Sequence, residues 1–450
     1  IEYQLKEELY NWREDVRPNV LGKFSEPEGD RTGGEWSYDN PTSQWLLRAQ
    51  ADLNPALIAK AVAQRLDKLG LLKDQEPALR ERVAQRLRVI EAKERSLKEL
   101  GKSAERTPWF CSGCPHNTST KVPDGSRALA GIGCHYMAMW MGRHTETVTQ
   151  MGGEGVNWVG QAPFTDEEHV FVNLGDGTYF HSGVLAIRQS IAAKVNVTYK
   201  ILYNDAVAMT GGQPLDGTLS VAAMTRELEA EGAKRIVVVT DDEDKYADVT
   251  DLAPGVTVYP REALDVVQRE LREIAGCTVI IYEQTCATEK RRRRKRGTMP
   301  KLAKRVVINE LVCEGCGDCS VQSNCLSVEP VETEFGRKRR INQSSCNQDF
   351  SCVKGFCPSF VTVEGGQLRA PKPGTGIPAW SSLPTLPEPD LPRAKNAYGI
   401  VVAGIGGTGV ITIGQVLGMA AHLEGKGIVT QESAGLAQKG GATWSHVQIA

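Results

Sequence analysis

The chain has 450 residues, of which 41% are hydrophobic and 24% charged, and its formal net charge is −2. This length predicts about three domains. With so small a net charge, the protein lacks the broad positive or negative field that is typical of proteins that bind nucleic acid or membrane surfaces. The sequence also contains no run of about eighteen apolar residues that would predict a transmembrane helix. We therefore expect no nucleic-acid partner and no membrane association.

Twelve cysteines, several of them in C-x-x-C groups, indicate a reducing compartment in which thiolates bind metal rather than form disulfides. We see no signal peptide and expect a cytoplasmic protein. The chain starts without Met and stops in a strand-like run, so we expect a fragment of a longer protein. We also expect a homo-oligomer.

Residues 1–105 are predicted to form a helical N-terminal region. Asn54-Pro55 is a typical helix start, and Gly70 follows the first predicted helix. Each of the two helices carries one apolar face, formed by Ile58, Val62, Leu66 and Leu69 in the first and by Leu79, Val83, Leu87 and Ile90 in the second. We interpret both helices as packing elements without catalytic chemistry.

Residues 106–290 alternate apolar strand candidates with segments of helix length. The strands are predicted at 170–174, 197–203, 235–240 and 277–282, with a crossover helix between Phe180 and Ala193. This alternation predicts an α/β domain built on a parallel sheet that is covered by helices on both faces.

Two polar turns follow neighbouring predicted strands, and they are 204 − 175 = 29 residues apart. The first is Gly175-Asp176-Gly177, and the second begins at Asn204. Open α/β sheets bind ligands at the carboxyl ends of their strands. The Asp176 and Asn204 side chains, with the carbonyl of Ala206, offer the oxygen ligands that Mg²⁺ prefers. A lone Gly-Asp-Gly is a common turn, but the pair in this setting resembles the thiamine diphosphate motif.

The segments around these turns supply the other candidates for this thiamine diphosphate and Mg²⁺ site. We predict His135 and His181 as catalytic residues. The predicted cofactor-binding residues are Gly133, Gly175, Asp176, Gly177, Thr178, Asn204, Ala206, Met209 and Thr210.

Lys290–Arg296 is a run of seven basic side chains, and residues 291–304 are predicted to be a linker. Such a run is usually a solvated surface segment, while a nuclear-import signal is the other standard interpretation. A linker of this charge could also bind an acidic partner or a phosphate.

Residues 305–365 contain a second group of cysteines. Cys313-x-x-Cys316-x-x-Cys319, with the remote Cys357 before a proline, has the spacing with which ferredoxins bind a [4Fe–4S] cluster. Zinc is the alternative, but zinc sites normally show two C-x-x-C knuckles. Three other thiols are candidate ligands of a possible further cluster, for which no fourth thiol is visible: Cys325, Cys346 and Cys352.

Residues 366–396 form a predicted proline-rich linker, and residues 397–450 begin a Rossmann-like α/β domain. A strand at 398–403 leads into Gly404-x-Gly406-x-x-Gly409 and then into a predicted helix, which is the arrangement of phosphate-binding loops. No acidic residue lies at a strand end about twenty positions on, where a nicotinamide site would have one, since Glu432 is 28 positions on. The loop could instead be structural and allow close helix packing.

The order of the motifs CSGC, GIGC, GDG and NDAVAMTGGQ resembles the thiamine domain of the 2-oxoacid:ferredoxin oxidoreductases. Over roughly residues 40–450 the chain is most similar to the long fused bacterial indolepyruvate ferredoxin oxidoreductases, through FCSGCPH, GIGCHYMAMWM, EQTCATEKRRRRKRG and CEGCGDC. The chain departs from relatives at His116 and His135, and the 313–357 segment departs from the regular two-cluster spacing.

The resemblance implies a [4Fe–4S] cluster beside the thiamine cofactor, with Cys111, Cys114, Cys134 and Cys286 as its ligands. Cys277 is then a core thiol. The resemblance also implies that residues 397–450 begin the γ-type catalytic domain, which takes part in coenzyme A chemistry. The glutamate that activates the cofactor in such enzymes has no candidate here and is expected in a separate domain.

The activity implied is oxidative decarboxylation of a 2-oxoacid, with indolepyruvate or another aryl-pyruvate as first choice. Coenzyme A would take the acyl group, and [4Fe–4S] clusters would pass electrons to ferredoxin. The same chemistry on pyruvate, 2-oxoglutarate or branched-chain 2-oxoacids stays open, as does a non-redox thiamine-dependent lyase. A pure electron carrier would leave the paired turns unexplained.

Overall fold

The computed structural model describes residues 2–18, 20–22, 46–47, 53–72, 77–99, 107–215, 217, 219–366, 387, 397–405, 408–433 and 442–450. The chain divides into two compact units, Ile1–Arg106 and Thr107–Ala450. Within the described ranges, no helix combines the length and the apolar character that a membrane crossing requires.

The described residues of the first unit include three helices, α1 at Glu2–Leu9, α2 at Pro55–Lys68 and α3 at Pro77–Glu99. Asn54 caps α2, since its Oδ1 accepts the Leu57 N–H at 2.9 Å. An ion pair of 2.7 Å between Lys60 Nζ and Glu94 Oε2 joins α2 to α3. On the apolar face of α2, the side chains of Ile58, Val62 and Leu69 are exposed.

The second unit contains a seven-stranded sheet in which all the strand pairs are parallel, with the order β2-β1-β3-β4-β7-β5-β6. Its strands are Ala128–Ala130, Thr145–Val148, Val170–Gly175, Val197–Tyr203, Arg235–Thr240, Thr257–Pro260 and Cys277–Glu283, numbered β1 to β7. The four strands predicted from sequence are confirmed, because their apolar runs lie in the buried middle of the sheet.

Helices cover both faces of this sheet. They are α4 at His116–Ser119, α5 at Val156–Gln161, α6 at Asp176–Thr178, α7 at Val184–Ala193, α8 at Val221–Glu231, α9 at Leu264–Arg272 and α10 at Ala287–Arg296. Successive strand residues point to opposite faces, so Ile201 belongs to one hydrophobic core and Leu202 to the other. The predicted crossover helix consists of a π-helical turn, Tyr179–Gly183, followed by α7.

The cysteine-rich segment folds around two antiparallel pairs. Strand β8 at Lys304–Ile308 pairs with β11 at Phe360–Glu364, and β9 at Val328–Thr333 forms a hairpin with β10 at Gly336–Ile341. Helix α11 spans Asp318–Ser323. A small core formed by these elements includes Cys313 and Cys319.

The described residues of the 397–450 region form a three-stranded sheet with one helix. The order strand, loop, helix is as predicted, with β12 at Tyr398–Ile405 and α12 at Val410–Leu423. Strand β14, Ala442–Ile449, lies between β12 and β13, Ile428–Ser433, and is antiparallel to both. Gly406 and Gly407 of the glycine loop, and most of the proline-rich stretch 366–396, lie outside the described residues.

His169 makes the stability of the parallel sheet sensitive to acid. Its Nε2 shares a hydrogen bond of 2.8 Å with Thr198 Oγ1, and burial followed by the charge of Arg272 lowers the pKa of the imidazole from 6.5 to about 4. The folded protein therefore binds a proton at this imidazole only near pH 4, whereas the unfolded chain binds it below about pH 6.5. The free energy of unfolding consequently falls as the pH decreases from about 6.5 towards 4.

In the parent, the free energy of unfolding should fall between about pH 7.5 and pH 5.5. We expect this fall to be about 1 kcal/mol smaller in His169→Gln. Denaturant unfolding at the two pH values measures this difference. His422→Gln is the control, since His422 is exposed on α12. An equal acid response in the parent and His169→Gln would contradict the assignment.

Candidate functional site

The carboxyl ends of four adjacent strands build the candidate site. In sheet order, β1 leads into Gly131–Cys134, β3 into Asp176, β4 into Asn204 and β7 into Cys286. Because parallel strands end at one edge of the sheet, residues far apart in sequence meet there. The sheet order therefore brings the predicted metal ligands between two of the predicted cluster cysteines.

Asp176 is a buried carboxylate, 3% exposed, held by backbone donors. Its Oδ1 accepts the Gly177 N–H at 2.8 Å, and its Oδ2 accepts the N–H groups of Asn204 at 2.9 Å and Asp205 at 3.1 Å. Burial raises the pKa of Asp176 to about 6, although these donors act in the opposite direction. A cation bound here would offset the burial of the negative charge.

Asn204 connects the Asp176 turn to Cys286. Its backbone N–H donates to Asp176, while its carbonyl oxygen accepts the Cys286 N–H at 3.0 Å. Its side-chain Oδ1 is buried and has no hydrogen-bond partner among the residues that the structure describes, which suits a ligand to a hard cation. The buried Ala206, 2% exposed, lies on the same turn. The donor set therefore fits Mg²⁺ and the diphosphate that Mg²⁺ would hold.

The four cysteines predicted for the proximal cluster meet at one cavity of about 470 Å³, namely Cys111, Cys114, Cys134 and Cys286. Asn204 and Met209 line the same cavity. Burial, followed by the charges of the three neighbouring thiols, raises the pKa of Cys114. By contrast, Cys277 lies in the core of the sheet, where burial raises the pKa of its thiol to about 12.

Among the described residues, no three His, Cys, Asp or Glu side chains converge closely enough to hold a single metal ion. An iron–sulfur cube makes a different demand on its ligands, because each of its four thiolates binds a different iron atom. The cavity edge at Cys111, Cys114, Cys134 and Cys286 is the part of the chain that brings four thiols together around open space.

His135 lies beneath the Gly131–Cys134 turn and does not line the cavity, and its catalytic role stays a prediction. It is 2% exposed, and burial lowers its pKa to about 4. A Cβ on Gly131 would overlap the Asn173 carbonyl oxygen and lie 2.7 Å from His135 Nε2. The glycines therefore allow this turn to pack on the imidazole, and His135 positions the turn that carries Cys134.

His181, the second predicted catalytic residue, also lies outside the cavity lining. It is exposed, and its Nδ1 shares a hydrogen bond of 2.8 Å with Ser182 Oγ. Thr178 is buried and donates to the Ile132 carbonyl at 3.4 Å. The turn residues Gly175 and Gly177 flank Asp176, Gly133 lines the cavity, and nothing is described for the Thr210 side chain.

Two buried ionisable residues that the sequence did not single out support the cysteine turns. Glu154 is fully buried and accepts the Ile132 N–H at 3.1 Å, which ties it to the turn of Cys134. Lys200 on β4 donates to the Ser119 and Lys121 carbonyls at 2.8 and 3.0 Å, and thereby fixes the end of α4 behind Cys114. Burial lowers the pKa of Lys200 to about 7. Their local sequences carry no motif, so only tertiary packing reveals them.

The basic run is a helix and not the predicted linker. Its residues from Lys290 to Arg296 belong to α10, which begins directly after Cys286. Arg292 donates to the Gly211 carbonyl at 2.7 Å, and Arg293 to Asp205 Oδ2 at 2.6 Å. These contacts explain why the run is ordered, because its guanidinium groups neutralise and tether the turn that follows Asn204.

We expect Arg293→Ala to weaken thiamine diphosphate binding about fivefold, in line with the ~1 kcal/mol of a half-exposed ion pair. The physical reason is that the Asp205 turn would lose its tether. Titration of the apoprotein with thiamine diphosphate at fixed Mg²⁺ measures the change. Lys295→Ala is the control, since Lys295 is exposed on the same helix. Equal affinity in the two variants would contradict the tether.

The cysteines of the second group form two neighbourhoods. Cys313 and Cys319 are buried together, Cys316 is exposed, and the pairing of β8 with β11 brings the segments of Cys313 and Cys357 to the same end of that pair. Separately, burial and the neighbouring Cys325 and Cys346 thiols raise the pKa of Cys352 to about 12. Cys325, Cys346 and Cys352 are all partly buried against the same small core.

Comparison with known proteins gives two family matches at the ends of the chain. Residues 1–100 match the family described as indolepyruvate ferredoxin oxidoreductase middle domain. Residues 399–450 match the family described as pyruvate ferredoxin/flavodoxin oxidoreductase.

Curated relatives include two archaeal proteins named indolepyruvate oxidoreductase subunit IorA. The one from Thermococcus kodakarensis is 27% identical over 285 residues, covering 58% of this chain and 41% of the relative. The one from Pyrococcus horikoshii is 24% identical over 391 residues, covering 82% of this chain and 56% of the relative. The chain thus spans about half the length of these relatives.

Among solved structures, a 2-oxoglutarate:ferredoxin oxidoreductase from Magnetococcus marinus is similar, at 20% identity and a TM-score of 0.30. The match covers 44% of this chain and 68% of that chain.

Proposed function

We propose, from the premise that the chain is related to the 2-oxoacid:ferredoxin oxidoreductases, that it carries the thiamine and electron-transfer sites of such an enzyme. The reaction is oxidative decarboxylation of a 2-oxoacid, with transfer of the acyl group to coenzyme A and of two electrons to ferredoxin. The proposed substrate is indolepyruvate or another aryl-pyruvate.

The observation that carries this proposal is the link between the two sites. Asn204 donates from its N–H to Asp176 and accepts at its carbonyl from the N–H of Cys286. A metal ligand and a cluster ligand are therefore one hydrogen bond apart. A non-redox thiamine enzyme has no use for a thiol at this position, whereas an enzyme that moves electrons from substrate to cluster requires such proximity.

Asp176, the Asn204 side chain and the Ala206 carbonyl would hold Mg²⁺ and, through it, the diphosphate. Bound thiamine diphosphate would supply the carbanion that attacks the keto carbon and the ring that accepts the electrons released with CO₂. The chain keeps Asp176 in place with three backbone N–H donors. Arg292 and Arg293 hold the adjacent turn, so that the metal ligands are ordered before the cofactor binds.

The lining of the cavity supports an aromatic substrate. The lining includes the large apolar side chains of Trp109, Tyr136, Met137, Trp140 and Met209. Among the described lining residues there is no Lys or Arg that would pair with a second carboxylate. A planar apolar side chain suits such a lining, while 2-oxoglutarate would bury an unpaired charge.

A panel of 2-oxoacids tests the proposal on the full-length protein, purified without oxygen. Reduction of ferredoxin or a viologen dye is measured for indolepyruvate, phenylpyruvate, pyruvate, 2-oxoglutarate and a branched-chain 2-oxoacid, with and without coenzyme A. We expect kcat/KM for the aryl-pyruvates to exceed that for 2-oxoglutarate at least about tenfold, or ~1.4 kcal/mol. Fastest turnover of 2-oxoglutarate would contradict the substrate, and no acceptor reduction with any 2-oxoacid would contradict the activity.

A further inference from the structure

Two seven-residue loops of the cysteine-rich segment share two left-handed positions and one hydrogen bond to sulfur. They are Cys313–Cys319 and Cys346–Cys352. The third residue of each is left-handed, with φ of 73° at Gly315 and 57° at Gln348. In each loop the N–H of this third residue donates to Sγ of the first cysteine at 3.4 Å.

The similarity continues to the end of each loop. The fifth residue is also left-handed, with φ of 84° at Gly317 and 62° at Phe350, and each loop then enters a helical turn. N–H donors to sulfur are among the features that tune iron–sulfur clusters. The second loop is therefore a structural repeat of the first, which has the ferredoxin spacing.

The second loop keeps this conformation without glycine. A left-handed residue that is not glycine costs on the order of 1 kcal/mol or more, and Gln348 and Phe350 both adopt this conformation. Strained backbone of this kind persists where the surroundings require it, most often at functional sites. The strain points to a ligand-binding role for the loop rather than to a simple connection.

The repeat places Asp349 in the position of Cys316. Counting from the first cysteine, both are fourth in the loop, between the cysteines at positions one and seven. We propose that Asp349 is the fourth ligand of a second [4Fe–4S] cluster, whose other ligands are Cys325, Cys346 and Cys352. This inference rests on the proposed iron–sulfur function of the segment. It supplies the ligand that is missing if only thiols are considered.

The two carboxylate oxygens of Asp349 differ in their contacts, and one of them has only a single long hydrogen bond. Its Oδ1 accepts from Arg261 Nη1 at 2.6 Å and from Gln284 Nε2 at 2.7 Å. Its Oδ2 accepts the Ser351 N–H at the long distance of 3.4 Å. The bond formed would join Oδ2 to one iron of the cube, and Oδ1 would keep its ion pair with Arg261. Rieske centres show that iron–sulfur clusters accept ligands other than cysteine.

The loop also lies directly against the proximal cysteines. Asn347 Nδ2 donates to the Ser112 carbonyl at 2.8 Å, and a Cβ on Gly113 would lie 2.9 Å from Asp349 Cβ. The Asp349 site thus adjoins the turn between Cys111 and Cys114. A cluster at this site would be the first to accept electrons from the proximal cluster. It would then pass them to the cluster held by the Cys313–Cys319 loop.

The experiment compares the full-length parent with Asp349→Ala, Asp349→Cys and the control Asp251→Asn, all purified without oxygen; Asp251 also pairs with an arginine, Arg226, but lies away from every cysteine loop. The readouts are iron and sulfide per chain and the EPR spectra of oxidised and reduced protein. We expect about twelve iron atoms per chain in the parent, from three cubes. Asp349→Ala should lose about one to four of them, and a three-iron EPR signal should appear if the cube is kept in part.

Asp349→Cys distinguishes iron binding from the hydrogen bonds that hold the loop in place, because cysteine can bind iron but cannot replace the carboxylate that accepts from Arg261 and Gln284. We expect this variant to keep the iron content of the parent and to shift the reduction potential of one cluster. Equal iron and identical EPR spectra in the parent and Asp349→Ala would overturn the proposal, as would equal loss in both Asp349 variants. A parent with about eight iron atoms that still reduces ferredoxin would overturn only this inference, whereas zinc in place of iron would overturn the proposed function itself.

Discussion

Asp176→Asn is expected to abolish binding of thiamine diphosphate and Mg²⁺ and to lower 2-oxoacid-dependent ferredoxin reduction at least about 100-fold, which corresponds to ~3 kcal/mol. The reason is that the buried carboxylate is the only negative charge proposed to hold the metal. Its oxygens are fixed by the N–H groups of Gly177, Asn204 and Asp205. Calorimetric titration with the cofactor and the ferredoxin assay measure the two effects.

Asp241→Asn is the matched control, because Asp241 also follows a strand of this sheet but pairs with Lys245 and Lys290. We expect this variant to keep cofactor affinity. Iron content and visible absorbance should be unchanged in both variants, since neither residue is a cluster ligand. Undiminished cofactor affinity in Asp176→Asn would refute the metal assignment.

Cys286→Ser is expected to remove or damage the proximal cluster, with a loss of up to about four iron atoms per chain. We expect ferredoxin reduction to fall by at least about 100-fold, because electrons from the substrate would lose their first acceptor. Cys286 begins α10 and lines the cavity with Cys111, Cys114 and Cys134. Thiamine diphosphate should still bind, which distinguishes this variant from Asp176→Asn.

Cys277→Ser provides the control at the other end of the same strand. Cys277 is 3% exposed in the apolar core of the sheet and does not line the cavity. Its replacement should lower stability by about 1 to 3 kcal/mol through burial of a hydroxyl, with iron content unchanged. Loss of iron from Cys277→Ser and not from Cys286→Ser would show that the wrong thiol has been chosen as fourth ligand.

The sequence predicted the central sheet and the two polar turns because the signals there are local. Strand β4 has the predicted bounds, since its β-branched and aromatic residues end sharply at Asn204. The order of the strands could not be read in this way. The neighbouring positions of β1, β3, β4 and β7 depend on tertiary packing, and they are what bring Cys134 and Cys286 to the same edge as Asp176.

The sequence could not show the features that depend on contacts between residues far apart in the chain. The basic run looked like a solvated linker, because the acceptors for Arg292 and Arg293 lie about eighty residues away in the chain. His135 was predicted from its place beside Cys134, and only tertiary packing shows that it is buried under glycines. The second seven-residue loop was overlooked, because Gln348 and Phe350 adopt a conformation that sequence reasoning expects only of glycine.

The most direct measurement follows the visible absorbance of the clusters in oxygen-free, full-length protein mixed rapidly with an aryl-pyruvate. If the Asp176 site and the Cys286 site act together, the absorbance should bleach before any external acceptor is added, and only when thiamine diphosphate and Mg²⁺ are both present. Asp176→Asn should stay oxidised. Bleaching that does not require thiamine diphosphate, or protein that contains zinc and no acid-labile sulfide, would contradict the account.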